Sequence, residues 1–178
     1  MKVRVAEAHE SDEILRVTNA AYQVEKFFID TDRLDAARLS ALLAKGVFLA
    51  ADGMAGCVYV ELRGERGYFG PLSVDPSRQA SGTGKLLVKA AEDYARAHGC
   101  RFMDLRIVNL REELPAFYRK LGYAETGTEP FPESEPTKLP CHLIRMSKEL
   151  SMAASELRSD WQAEAYPTMR VPTAPWGT

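Results

Sequence analysis

The stretch Val74-Asp75-Pro76-Ser77-Arg78-Gln79-Ala80-Ser81-Gly82-Thr83-Gly84-Lys85 constrains this chain more than any other. It joins a strand-like run that ends at Val74 to the most regular helical pattern in the sequence, Gly82 to His98. Leu86, Leu87, Ala90, Ala91, Tyr94 and Ala97 make one face of that helix. Lys85, Lys89, Glu92, Asp93 and Arg96 make the other, with Glu92 and Arg96 spaced as a favourable ion pair. Glycines at such a junction let the backbone approach a ligand and turn its N–H groups outward. With the helix dipole behind them, those groups suit an anion such as a pyrophosphate.

Two familiar phosphate loops do not fit. The ATP type needs Gly-x-x-x-x-Gly-Lys followed by Ser or Thr. Counting back from Gly84-Lys85, Gln79 holds the first glycine's place, and Leu86 follows the lysine. The dinucleotide pattern Gly-x-Gly-x-x-Gly fails because Gly82-Thr83-Gly84-Lys85-Leu86 continues with Leu87.

Around this loop the chain reads as mixed α and β. A strand over Lys2–Ala6 precedes a helix that Ser11 caps and Asp12-Glu13 favour. A second helix covers Arg33 to Ala44. Val47–Ala51, Met54–Leu62 and Tyr68–Val74 read as antiparallel strands, the first two joined by a hairpin turn at Asp52-Gly53. Pro71, inside the third, implies an edge, a bulge or a break in the ladder. After the long helix come a strand over Phe102–Val108, a short helix from Pro115 to Leu121, and strands over Tyr123–Thr128 and Leu139–Lys148. A proline-rich loop, Glu129 to Pro136, separates those last two. Residues 1–150 form one domain and 151–178 a C-terminal extension. In the extension, Ala154, Leu157, Trp161 and Ala165 make a weak helical stripe, which packs on the domain's own core or forms a contact in a homodimer.

Composition narrows the function. Lys plus Arg is 23 against 25 for Asp plus Glu, a net charge of -2. Gripping nucleic acid needs a clear basic excess. Three cysteines, Cys57, Cys100 and Cys141, show no paired spacing, which disfavours a disulfide framework or a metal site and fits a reducing compartment. No run approaches the ~20 apolar residues that span a bilayer, and the expected location is cytoplasmic.

Gln79-Ala80-Ser81-Gly82-Thr83-Gly84 resembles the Gln/Arg-x-x-Gly-x-Gly/Ala signature of the GNAT superfamily of acetyl-CoA-dependent N-acetyltransferases. Leu72-Ser73-Val74-Asp75-Pro76 precedes it as the family's fourth strand does. Phe117-Tyr118-Arg119-Lys120-Leu121-Gly122-Tyr123 resembles the family's aromatic-Tyr-x-x-x-Gly-aromatic ending. The resemblance covers roughly Val3 to Leu150. It implies an α+β fold: a twisted, mostly antiparallel sheet of about seven strands, flanked by about four helices and splayed between strands 4 and 5.

The resemblance also implies acetyl-CoA in the gap and transfer of its acetyl group to an amine of a small molecule or peptide. Leu72 and Val74 would offer backbone groups to the pantetheine arm. Gln79, Ala80, Ser81, Gly82, Thr83, Gly84 and Lys85 would hold the pyrophosphate. Tyr118 would protonate the leaving thiolate, and the N–H of Leu72 would stabilise the oxyanion. Asn109 would touch the pantetheine, although its spacing to Tyr118 is longer than the family's, so a capping role stays open. Glu61 stands as general base or as a solvated strand-end carboxylate. Phe117 is expected in the core rather than on the cleft, His142 as a structural histidine and Cys141 as a small core residue. Glu25 to Asp32 falls where the family lines its acceptor pocket, and an ordinary solvated loop is the competing reading. A module that binds acyl-CoA without chemistry is the alternative to an enzyme, and Tyr118 argues against it.

Overall fold

Two central strands alternate with period two, and both of their faces are buried. Leu49 and Ala51 on one strand, with Val58 and Val60 on the next, join the larger core cluster. Phe48, Ala50, Cys57 and Tyr59 face the opposite way into a second cluster. A sheet covered on both sides needs helices on both sides. A computed structural model, which describes residues 1–79 and 81–151, has that arrangement.

The elements run β1 (Val3–Val5), α1 (Ser11–Ala21), α2 (Ala36–Leu43), β2 (Gly46–Ala51), β3 (Gly56–Arg63), β4 (Arg66–Val74), α3 (Thr83–Ala97), β5 (Phe102–Val108), α4 (Glu113–Lys120), β6 (Ala124–Pro130) and β7 (His142–Glu149). The sheet order is β1-β2-β3-β4-β5-β7-β6. Every pairing is antiparallel except β4 with β5. On one face α3 contributes Leu87, Ala91 and Ala95. On the other, Ile14 and Val17 of α1 and Leu39 of α2 pack against Phe48 and Tyr59.

Several local expectations shift. Ser11 is the first residue of α1 rather than its cap. Its hydroxyl donates back to the Ala8 carbonyl at 2.8 Å, and Glu7 with Glu10 forms a capping box one turn earlier. Asp35, not Arg33, opens α2 and accepts from the Arg38 N–H at 2.8 Å. Asp52-Gly53 lies in a 3-10 turn with Gly53 at φ 60°, so the β2–β3 connection is longer than a two-residue hairpin.

Glu92 and Asp93, expected on the wet face of α3, are buried. Lys148 of β7 donates to Glu92 at 2.9 and 3.0 Å, and the Tyr123 hydroxyl does so at 2.9 Å. A charge-assisted network, rather than solvent, satisfies that carboxylate. Among the described residues no helix is long and apolar enough to cross a membrane. The expected C-terminal helix stripe lies outside the described residues.

Candidate active site

The site begins where the sheet stops being a sheet. β4 and β5 pair only over Arg66–Tyr68 and Phe102–Asp104. Beyond that the two parallel strands part, and a cavity of about 750 Å³ occupies the gap. The register against β3 shifts between Val58 and Val60, so Gly70 and Pro71 form a bulge opposite Tyr59. Proline there brings no N–H to a ladder that has already ended.

Pairing on the β3 side fixes what β4 offers to the gap. The Asp75 N–H donates to the Ala55 carbonyl at 2.9 Å, and Ser73 lies opposite Cys57. Backbone direction alternates along an antiparallel pair. The N–H and C=O groups of Leu72 and Val74 therefore face away from β3, toward the gap, and both residues line the cavity.

At one end of the cavity stands the N-terminus of α3. Gly82 precedes it with φ 78°, in the left-handed region, and a Cβ built there meets nothing within 4 Å. The protein's own packing thus leaves room for a side chain at Gly82, and the left-handed backbone conformation is what asks for glycine. Gly82, Thr83, Gly84 and Lys85 all line the cavity, as does Gln79. The first intrahelical bond is Leu86 N–H to the Gly82 carbonyl. No described residue accepts from the N–H groups of Gly82 through Lys85, and donors at a helix start suit an anion. Ser81 is brought near without lining the cavity. Its hydroxyl donates to the Arg78 carbonyl at 2.8 Å and shares a 2.7 Å hydrogen bond with Thr83. Ala80 lies outside the described residues.

Tyr118 lines the same cavity from α4. Pro115 sits in the first turn of that helix, where its missing N–H costs nothing. The ring packs edge-on against Phe117 and Tyr123 and tilted against Phe69, with centroids 5.0, 6.0 and 5.9 Å away. Burial pushes the phenol above its ordinary pKa, with the nearby tyrosines Tyr22 and Tyr68 adding to the shift and Arg111 opposing it. The group is a proton donor held in its protonated form. Phe117, expected in the core, is half-buried and lines the cleft.

The other end of the cavity is made of side chains from separate elements. A 3-10 turn over Tyr22–Glu25 follows α1 and supplies both of its terminal residues. Glu25 is only 8% exposed. Burial raises its pKa, against the pull of Arg33 and Arg111. Arg111, just past β5, reaches Glu25 at 3.2 Å and Glu113 at 2.6 Å. Phe131 and Leu143 close this end with Val108. The loop carrying Glu25 is strapped down by Lys138, whose N–H donates to the Phe28 carbonyl at 2.7 Å and whose Nζ donates to the Lys26 carbonyl at 2.6 Å. Within the stretch flagged in the sequence, Glu25 therefore reaches the cavity. Tyr22, Arg33 and Arg111 carried no signal of their own, because only the tertiary fold brings them to it.

Two candidates are placed elsewhere, and Cys141 takes the packing role expected of it. Glu61 does not line the cavity. It accepts from Arg63 at 2.8 Å and from the Tyr59 hydroxyl at 3.0 Å, and the Arg63 hydrogen bond holds its pKa low despite partial burial. Asn109 also lies off the cavity. Its amide oxygen accepts from the His142 N–H at 2.8 Å while its own N–H donates to the His142 carbonyl at 3.0 Å. The pair ties the end of β5 to the start of β7. Cys141 packs with the small cluster around Phe28 and Val108. Among the described residues, no three His, Cys, Asp or Glu side chains converge as metal ligands.

This architecture recurs among solved structures. The Escherichia coli ribosomal-protein-S18-alanine N-acetyltransferase superposes with a TM-score of 0.69 at 16% identity, covering 87% of this chain and 97% of that one. A Salmonella typhimurium acetyltransferase candidate, solved with its cofactor acetyl-CoA, gives 0.66 at 21% identity over 87% of this chain and 96% of that one. A Bacillus subtilis acetyltransferase in complex with CoA gives 0.64 at 17% identity over 84% and 99%. No curated protein sequence matches the chain significantly. The profile of the acetyltransferase (GNAT) family, however, matches residues 12–123, from the start of α1 to the tyrosine that follows α4. With the parted β4 and β5, the open N-terminus of α3 and Tyr118 all inside that span, the chain belongs to the acetyltransferase (GNAT) family.

Proposed function

We propose that the protein transfers the acetyl group of acetyl-CoA to a primary amine within a ternary complex. The observation that carries this reading is one continuous cavity that joins the start of α3, whose first N–H groups no described residue takes up, the outward-facing backbone of Leu72 and Val74, and Tyr118. The pyrophosphate belongs against Gly82 to Lys85, where main-chain donors and the helix dipole favour negative charge. The pantetheine arm runs along Leu72 and Val74 and extends β4 into the gap left by β5.

Glu25 replaces Glu61 as the group that takes the acceptor's proton. It lines the cavity, and burial lifts its pKa toward the range useful to a base. The freed amine attacks the thioester carbonyl carbon and a C–N bond forms. The carbonyl oxygen becomes an oxyanion, held by the Leu72 N–H. Collapse breaks the C–S bond, and the departing thiolate takes the Tyr118 phenol proton. The amide nitrogen then sheds its extra proton to the phenolate, and Glu25 returns its own to solvent. The products are an amide, free CoA thiol and one proton. A reducing, cytoplasmic setting suits three cysteines that are all free.

The test is free-thiol release from acetyl-CoA across a panel of amines, alongside calorimetric titration with CoA. Release above the hydrolysis background for at least one amine is expected. CoA binding without release for any amine would leave a binding module, and neither binding nor release would end the reading altogether.

A further inference from the structure

Three arginines stand on the wall of the acceptor end: Arg33, Arg106 and Arg111. Two are matched. Arg111 holds Glu25 and Glu113, and Arg106 holds Glu129 at 2.6 Å. Arg33 is different. Among the described residues its guanidinium donates no hydrogen bond and has no carboxylate at ion-pair distance. The Tyr22 ring lies 5.0 Å beneath it, which steadies the cation through the ring face and leaves the N–H edge unused.

The position is also built rigidly. The next residue, Leu34, is 4% exposed and is clamped on both sides by the Asn19 amide. Asn19 donates to the Leu34 carbonyl at 2.8 Å and accepts the Leu34 N–H at 2.9 Å. An arginine held beside a cavity with its planar donors unspent is a receptor for a carboxylate, since five N–H groups in a fixed fork match two oxygens. Against burial, Glu25 and Glu135 balance the Arg33 charge from beyond ion-pair distance and raise its pKa, yet neither takes up its N–H edge, which stays open to a ligand beside the apolar walls of Phe131 and Leu143.

We propose that the acceptor is a small amino acid, its carboxylate received by Arg33 and its amine presented to Glu25. The inference rests on the acetyltransferase reading above and narrows it. A plain monoamine or polyamine leaves the Arg33 N–H edge unused and adds further positive charge beside it. An amino acid answers both, with its cation toward Glu25 and its anion toward Arg33.

The experiment compares matched acceptors: free α-amino acids, β-alanine and 4-aminobutyrate, the primary amides of each, and the amines that lack the carboxyl carbon. Thiol release is read for wild type, Arg33→Met and Arg33→Lys. The best free acid should exceed its own amide and amine by about 10- to 100-fold in kcat/KM, as charge-assisted bonds are worth in a desolvated site. Arg33→Met should erase that preference, mainly through KM. Arg33→Lys should keep part of it, and CoA affinity should stay unchanged in both variants, which shows that they fold. Amides or monoamines used as well as the acids, or a preference that survives Arg33→Met, overturns the inference while the acetyltransferase reading stands. CoA binding with no release from any of these amines overturns it too. Absence of both CoA binding and thiol release would instead bring down the parent reading.

Discussion

The two ends of the cavity are built from different materials. Beside α3 the groups on offer are main-chain N–H donors, and glycine at φ 78° keeps the approach open. Around Glu25 they are charged and aromatic side chains from a 3-10 turn, a loop, the end of β5 and the proline-rich segment. Main-chain chemistry is the same whatever the residue, so it suits a ligand that does not change between related proteins. Side-chain chemistry can be rewritten one substitution at a time, which suits a ligand that does. Tyr118 lines the same cavity, and in the proposed reaction it reaches the thioester sulfur whichever amine arrives.

That role gives the largest expected effect. Tyr118→Phe removes the proton donor and keeps the ring packing against Phe69, Phe117 and Tyr123. Loss of a general acid lowers kcat by about a hundredfold to a thousandfold, while CoA affinity, measured by calorimetry, stays as it was. A fall in CoA affinity of similar size would mean that the phenol belongs to the cofactor end alone.

Next comes Gly82→Val. A β-branched residue is strained at a positive φ. The absence of any atom within 4 Å of the new Cβ means the protein itself does not resist it sterically. The harm should fall on the ligand: CoA binding weakens by about 10- to 100-fold, the worth of bonds to a charged group, and KM for the amine moves little. Unchanged CoA affinity with lowered stability alone would show that this end is a helix start and no more.

The difference between the ends also explains what could be read from the sequence. Gln79, Gly82, Thr83, Gly84 and Lys85 are contiguous, and the strand and helix flanking them are strongly periodic, so local pattern suffices to place them together. Pro71 marked the interrupted ladder for the same reason. The acceptor end has no such pattern. Glu25, Arg33, Arg111 and Phe131 span more than half the chain, and only the antiparallel return of β7 and the Lys138 strap bring them to one cavity. Glu61 and Asn109 stay open between two roles in the sequence because strand phase and strand end are one-dimensional clues. Each has closer partners, Arg63 with Tyr59 and the His142 backbone, that no periodicity reveals. The burial of Glu92 has the same origin, since Lys148 arrives from the far end of the domain.

A smaller effect separates the base from its surroundings. Glu25→Gln should lower kcat/KM near neutral pH by about tenfold, because water partly substitutes for a lost base. In wild type, activity should fall as pH drops through the raised pKa of this carboxyl and the base becomes protonated. The variant should lack that acid limb, with Arg33, Arg111 and Glu113 around the site remaining charged. An acid limb that persists in the variant would assign the base elsewhere.

The smallest effects are those on stability, and they run in opposite directions for the two glutamates. Glu25 has its folded pKa raised by burial. Its contribution to stability is fully present below the unfolded pKa and is lost as pH rises through the folded one, so the ionised group is a burden at neutral pH. Glu25→Gln should therefore raise Tm at pH 8, and the gain should disappear in acid. Glu61 is the reverse case, with a pKa lowered chiefly by Arg63. It contributes above the unfolded pKa and loses that contribution as pH falls through the folded one. Because Arg63 is half exposed, the pair is worth at most about 1 kcal/mol, and Glu61→Gln should lose no more than that at pH 8 while kcat/KM changes less than about twofold, within the reach of ordinary surface substitutions. A carboxylate whose removal improves the fold and harms the reaction belongs to the site, and one whose removal does the opposite belongs to the scaffold. Thermal scans and thiol-release rates on the same two variants decide which is which. The assignment reverses if Glu61→Gln proves the slower enzyme.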